Sequence, residues 1–236
     1  MFKFKDEQSI GEIVSIMPSA ADIFNEFDID YYFNGDRSLS MTVKEKDLDE
    51  KEVLEKLNAM YARVSNTHQV DYRSLSLKEL TDQLIENHHS YVKRVLQEIN
   101  ELSKRVVRGN GPSHSNYFEI HKTLYELKVE FDEHLKHKET VLYPLIHKFS
   151  ENPTDTLLDK IKEEVKAIKE NYNRLQRIHE ELTDITRDNC IPQNELDSYW
   201  LIFRRITELK DNLSFQAHII NNIIVKKLNM LFEPAY

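Results

Sequence analysis

The sequence holds one cysteine, Cys190, which excludes an intramolecular disulfide. Neither a Cys-x-x-Cys pair nor a zinc-ribbon spacing is present. Only four glycines occur, and no glycine-rich phosphate loop is among them. The Gly-x-Ser-x-Gly and His-Glu-x-x-His patterns are missing too, so no hydrolase motif names a substrate. Basic residues are outnumbered 32 to 41, for a formal net charge of -9. A chain this acidic is not built for general nucleic-acid binding, which needs basic patches to neutralise phosphate. No run approaches the roughly 20 apolar residues of a membrane span. The start, MFKFKDEQSIGEIV, lacks the apolar core of a signal peptide. These absences lead to the expectation of a cytoplasmic protein with neither a membrane nor a nucleic acid as partner.

What is there is helical in character. Leucine, isoleucine, glutamate and lysine run throughout, and long stretches carry no glycine. Residues 1–65 read as a small domain of short helices. Ser9 caps SIGEIVSIM, Pro18 stands at the entrance of PSAADIFNEFDI, and Asp49 caps DEKEVLEKLNAMYARV. Residues 66–75 are polar and aperiodic and read as a linker. From Ser76 to the end, residues 76–236, the helices lengthen. Ser76 and Glu79 have capping-box form. Four helices are expected, at about 76–107, 117–149, 156–187 and 192–231, joined by short loops. The fold class is therefore all-α: an up-down-up-down four-helix bundle behind a small helical domain.

The helical faces raise a question. On the second helix Leu127, Phe131, His134, Val141, Leu142 and Leu145 share one face, and Lys138 projects near its centre. The first helix carries Leu77, Leu80, Leu84, His88, Val95, Ile99 and Leu102, with His89 on the flank. The third carries Leu158, Ile161, Val165, Ile168, Tyr172, Leu175, His179 and Leu182. The fourth carries Ile202, Ile206, Leu209, Leu213, Gln216 and Ile220, with His218 off the stripe. Each stripe is interrupted by a polar residue near mid-height: His88 or His89, His134 with Lys138, Tyr172, and Gln216. Bundles place metal and cofactor ligands in this way, so the pattern points to a layer that is, or descends from, a site.

Several phrases resemble the repair of iron centres (RIC) family, di-iron proteins associated with iron–sulfur cluster repair under nitrosative and oxidative stress. IGEIVSIMPSAADIFNEFDIDYYFNGDRSL is similar to that family's N-terminal domain. DYRSLSLKELTDQLIENHHSYVKR, HLKHKETVLYP, ITELKDNL and NNIIV are similar to its hemerythrin-like bundle. The resemblance covers nearly the whole chain and implies six ligand positions, of which two keep a ligand. The helix-one histidine falls on His89 and the helix-two histidine on His134. The helix-two bridging glutamate falls on Lys138, with Glu139 beside it but about 100° off that face. The helix-three histidine falls on Tyr172, and the helix-four His-x-x-x-Glu falls on Gln216 and Ile220. A rival alignment would use His218 and Asn222. The family's N-terminal cysteine pair falls on Tyr32 and Phe33.

The resemblance thus implies a relative with a degenerate site and no stoichiometric di-iron centre, acting by binding or regulation through a protein partner. An alternative keeps one metal on His89 and His134, with Tyr172 or Glu130 added, and iron–sulfur repair as the function. A third reading is a purely structural or partner-binding bundle whose polar layer only fixes helix register. His68, His114, His121, His137 and His147 read as surface or loop residues.

Overall fold

The computed structural model describes residues 4–64, 70–110, 115–188 and 196–232. Cys190, His68 and His114 lie outside them. The described residues are all-α, with a single isolated bridge between Ser9 and Ser38. Among them no helix is long and apolar enough to cross a membrane.

Four short helices come first: α1 (Ile10–Ile16), α2 (Ala20–Glu26), α3 (Leu39–Glu45) and α4 (Glu50–Val64). The Ser9 hydroxyl accepts from the Glu12 N–H at 3.3 Å, and the Asp49 carboxylate accepts from the Lys51 N–H at 2.9 Å. These bonds satisfy amides that a helix start leaves open. The capping box also forms. Ser76 Oγ accepts from the Glu79 N–H at 3.2 Å, and Glu79 Oε2 accepts from the Ser76 N–H at 2.7 Å.

Three of the four long helices are interrupted by a π turn. The first is α5 (Leu77–Gln83), π1 (Leu84–His89) and α6 (Ser90–Asn110). The second is α7 (Ser115–His137), π2 (Lys138–Leu142) and α8 (Tyr143–Glu151). The third, α9 (Asp155–Asp188), runs unbroken. The fourth is α10 (Leu196–His218), π3 (Ile219–Ile224) and α11 (Val225–Phe232). A π turn adds one residue, so side chains beyond it sit about 100° from where a regular 3.6-residue repeat would put them. Pro144 accounts for π2. Its ring has no N–H to give and would crowd the carbonyl of Thr140, and a widened turn relieves that clash. π1 and π3 contain no proline, and their sequences give no local cause.

The described residues form two compact units. One takes residues up to Leu80 together with those from Ser214 on; the other is Thr81–Leu213. In the first, Ile10, Ile13, Phe24, Tyr31, Leu39 and Leu57 anchor the core. The C-terminal end of the fourth helix belongs to this unit for a polar reason. Asn222 Nδ2 donates to the Tyr31 carbonyl at 2.9 Å and to His218 Nδ1 at 3.0 Å. His218 Nε2 lies 3.4 Å from Ser15 Oγ, which in turn donates to the Gly11 carbonyl at 2.7 Å. In the second unit α6 packs on α7, and α9 packs on α7, π2 and α8. Histidines expected at the surface tie these helices together. His147 meets buried Thr81 at 2.7 Å, His121 meets buried Ser103 at 2.8 Å, and His137 meets Glu164 at 2.6 Å.

The Asn222 amide fills the space where a Cβ on Gly35 would stand. Gly35→Ala should therefore cost about 1–3 kcal/mol through overpacking. Urea unfolding should show that cost, and it should shrink in an Asn222→Ala background. An equal cost in both backgrounds would contradict the overlap.

Candidate metal centre

The site is assembled around π1 and π2 in the Thr81–Leu213 unit. π1 explains why periodicity placed His88 rather than His89 on the buried face. His89 is 0% exposed, whereas His88 is half-buried, with its Nδ1 accepting from Asn212 Nδ2 at 3.2 Å. Past the turn Val95 and Ile99 are buried as expected, Val92, Leu96 and Ser103 are buried beside them, and Leu102 is half-buried. Past π2, Tyr143, Ile146 and Phe149 are buried where Val141 and Leu145 were expected, and those two are half-buried. On unbroken α9 most of the expected stripe is buried, Leu158, Ile161, Ile168, Tyr172, Leu175 and Leu182, with Val165 and His179 half-buried.

His89 is held at both ring nitrogens. Nδ1 lies 2.7 Å from Glu139 Oε1, and Nε2 lies 3.1 Å from the Tyr143 hydroxyl. Glu139 oxygens only accept, so the proton sits on Nδ1 and the Nε2 lone pair takes the tyrosine O–H. Lys93 Nζ donates to the same Glu139 oxygen at 2.9 Å. Glu139, expected off the face, is thus the residue that orients His89. Sequence reading set Glu139 off the face and did not single out Tyr143; the signal available was Pro144, whose effect on the preceding turn changes the register.

His134, four residues ahead of Lys138, is 2% exposed. Neither of its ring nitrogens has a hydrogen-bond partner among the described residues. Lys138 is 1% exposed, so it does not reach along the helix to solvent. Burial pushes its ammonium down to about 7. Burial, then the charge of Lys138, pushes His89 down to about 4 and His134 well below the ordinary histidine range. Glu139 ends below the usual carboxylate range, because Lys93 and His89 outweigh the opposing effect of burial.

The remaining sequence-predicted positions divide. Tyr172 is buried and lines a largely apolar cavity of about 20 Å³ with Leu127, Phe131 and Leu175, room for about one water. Glu130 is drawn away into an ion pair with Arg174 at 2.7 Å. Gln216 and Ile220 are buried in the other unit. The rival pair, His218 and Asn222, is engaged with Ser15, Tyr31 and Tyr32. Among the described residues no three histidine, cysteine or acidic side chains are grouped to hold a metal ion.

The four long helices define a hemerythrin-type protein. Residues 80–228 match the hemerythrin HHE cation binding domain, and residues 6–61 match ScdA_N, a domain of unknown function (DUF542). The chain therefore belongs to the hemerythrin HHE cation-binding family, in the two-domain form of the RIC proteins. Relatives match over nearly their full length. A probable iron-sulfur cluster repair protein of Haemophilus influenzae is 22% identical over 94% of this chain and 96% of its own. The iron-sulfur cluster repair protein ScdA of Staphylococcus haemolyticus is 19% identical over 95% and 99%. The iron-sulfur cluster repair protein YtfE of Escherichia coli O157:H7 is 25% identical over 92% and 94%.

Buried neutral histidines make the protein acid-sensitive. Burial, as the first cause in each, holds His88 and His89 at about 4 and His218 at about 3. The unfolded chain takes up these protons near pH 6.5, whereas the folded chain does not. Stability is thus full above that pH and declines below it, by up to about 1.4 kcal/mol per pH unit for each histidine. Urea midpoints at about pH 7.5 and about pH 5.5 should fall in that order. Equal midpoints would contradict the burial of neutral imidazoles.

Proposed function

We propose that this RIC-family chain has exchanged the di-iron centre for an internally bonded polar core, and that it works in the cytoplasm as a stress-related binding or regulatory protein with a protein partner. One observation carries the reading: a fully buried lysine, Lys138, stands at the position that the family resemblance assigns to a bridging glutamate. A protonated ammonium cannot ligate and repels a dication beside it, and a neutral amine offers one nitrogen and no bridge between two metals. The Tyr143 hydroxyl already occupies the His89 nitrogen that points away from Glu139. Tyr172 offers a phenol in place of an imidazole, and Ile220 offers no donor at all. Such a donor set does not fit two irons, which need bridging carboxylates as well as histidines.

A second reading has its own support. Both ring nitrogens of His134 lack a partner among the described residues. The Glu139 carboxylate also orients His89 as carboxylates orient metal-bound imidazoles. On this reading one metal ion remains and iron–sulfur repair is the activity. Two histidines fall short of the three protein ligands usual even in an open site.

Metal analysis and optical absorption of protein expressed with added iron separate the two. The first reading expects iron well below one per chain. Two irons with an oxo-bridge absorption band would overturn it, and one tightly held iron would favour the second. Lys138→Met offers an independent check, because it removes a buried amine and keeps the apolar stem. Between about pH 7 and about pH 10.4 the unfolded chain holds a proton that folded Lys138 has released. The cost of the lysine is therefore largest at the low end of that window and fades toward the high end. Urea unfolding should show Lys138→Met as neutral or stabilising at pH 7, with an advantage that shrinks by up to about 1.4 kcal/mol per pH unit above it. Destabilisation by more than about 3 kcal/mol at pH 7 would make the lysine a needed member of a charge network.

A further inference from the structure

Tyr143, His89 and Glu139 form a directed chain of hydrogen bonds from the buried core to the edge of the protein. Tyr143 is 1% exposed, and its hydroxyl donates to His89 Nε2 at 3.1 Å. The two rings are stacked with centroids 5.7 Å apart. His89 Nδ1–H donates to Glu139 Oε1 at 2.7 Å. The Glu139 side chain is 27% exposed and Lys93 52%, so the chain ends at solvent. The direction is fixed by chemistry. The carboxylate can only accept, the imidazole must then accept at its other nitrogen, and the phenol is left as the donor.

We infer that this relay makes Tyr143 a proton-coupled redox site, able to give one electron to an outer-sphere one-electron oxidant such as nitrogen dioxide or an oxidised metal complex. An electron can leave a buried phenol through the protein, but the proton can leave only along hydrogen bonds. A phenol that keeps its proton on oxidation becomes a buried cation, which the interior does not tolerate. Here the step balances without one. Tyr143 loses an electron to the oxidant and its hydroxyl proton to His89 Nε2. His89 passes its Nδ1 proton to Glu139. The products are a neutral phenoxyl radical, a neutral imidazole of the opposite tautomer, a neutral carboxylic acid and the reduced oxidant. Reduction by one electron runs the same protons back. The inference rests on the metal-free reading of His89, since a metal at Nε2 would displace the phenol.

The test uses full-length protein treated with a chelator, so that its outcome does not depend on the metal content measured on untreated protein. Photogenerated ruthenium(III) polypyridyl serves as the oxidant, with transient absorption and freeze-quenched electron paramagnetic resonance as readouts. Wild type should give a long-lived tyrosyl radical that forms more slowly in D₂O. Tyr143→Phe should lose that signal. Glu139→Gln, whose amide still accepts from His89 but does not take a proton, should slow radical formation about tenfold or more. A long-lived radical persisting in Tyr143→Phe would overturn the assignment. An unchanged rate in Glu139→Gln would overturn the relay. Where a variant does not fold, the wild-type isotope effect decides, and its absence refutes a coupled proton.

Discussion

The register of three π turns governs which side chains meet inside this protein. Each adds one residue to a helix that is otherwise regular, and each includes a buried polar side chain: His89 ends π1, Lys138 opens π2, and Asn222 lies in π3. Because the shift is about 100°, it moves a residue from the flank to the interior. Without π1, His88 would take the place of His89. Beyond π2, Tyr143 is buried and Glu139 bonds to His89. π turns are frequent at functional sites, and here π1 and π2 place the polar core of the Thr81–Leu213 unit.

That core is costly to build and is arranged accordingly. A buried amine is tolerated by giving up its proton readily, and Lys138 is shifted in that direction. The imidazoles around it are neutral for the same reason. The Tyr143 hydroxyl and the Glu139 carboxylate fix the ring of His89 from both sides. The exception is His134, whose two nitrogens lack partners among the described residues.

Much of the fold was legible in the sequence, and for identifiable reasons. Caps are local chemistry, so Ser9, Asp49 and the Ser76–Glu79 box could be read directly. Unbroken α9 obeys a regular repeat, and its buried face could be read from spacing alone. Which histidine of the pair is buried was legible only through the family resemblance, which selected His89 over His88. Periodicity could not do so, because it assumes a constant 3.6 residues per turn across π1. The same assumption hid Tyr143 and Glu139. His218 illustrates a different limit. It lies off the apolar stripe, as spacing indicates, yet it is buried by bonds to Ser15 and Asn222. Those long-range contacts leave no trace in a helical wheel.

The central claim is that a hydrogen-bonded core now stands where the family keeps metal, and the ring nitrogens of His89 report on it directly. Nitrogen-15 nuclear magnetic resonance of the histidine side chains, with and without added ferrous iron, reads both tautomer and ligation. The account predicts a neutral His89 with its proton on Nδ1, an Nε2 signal shifted by an accepted hydrogen bond, and no change when iron is added. Loss or a large paramagnetic shift of the His89 and His134 signals on addition of stoichiometric iron would contradict it.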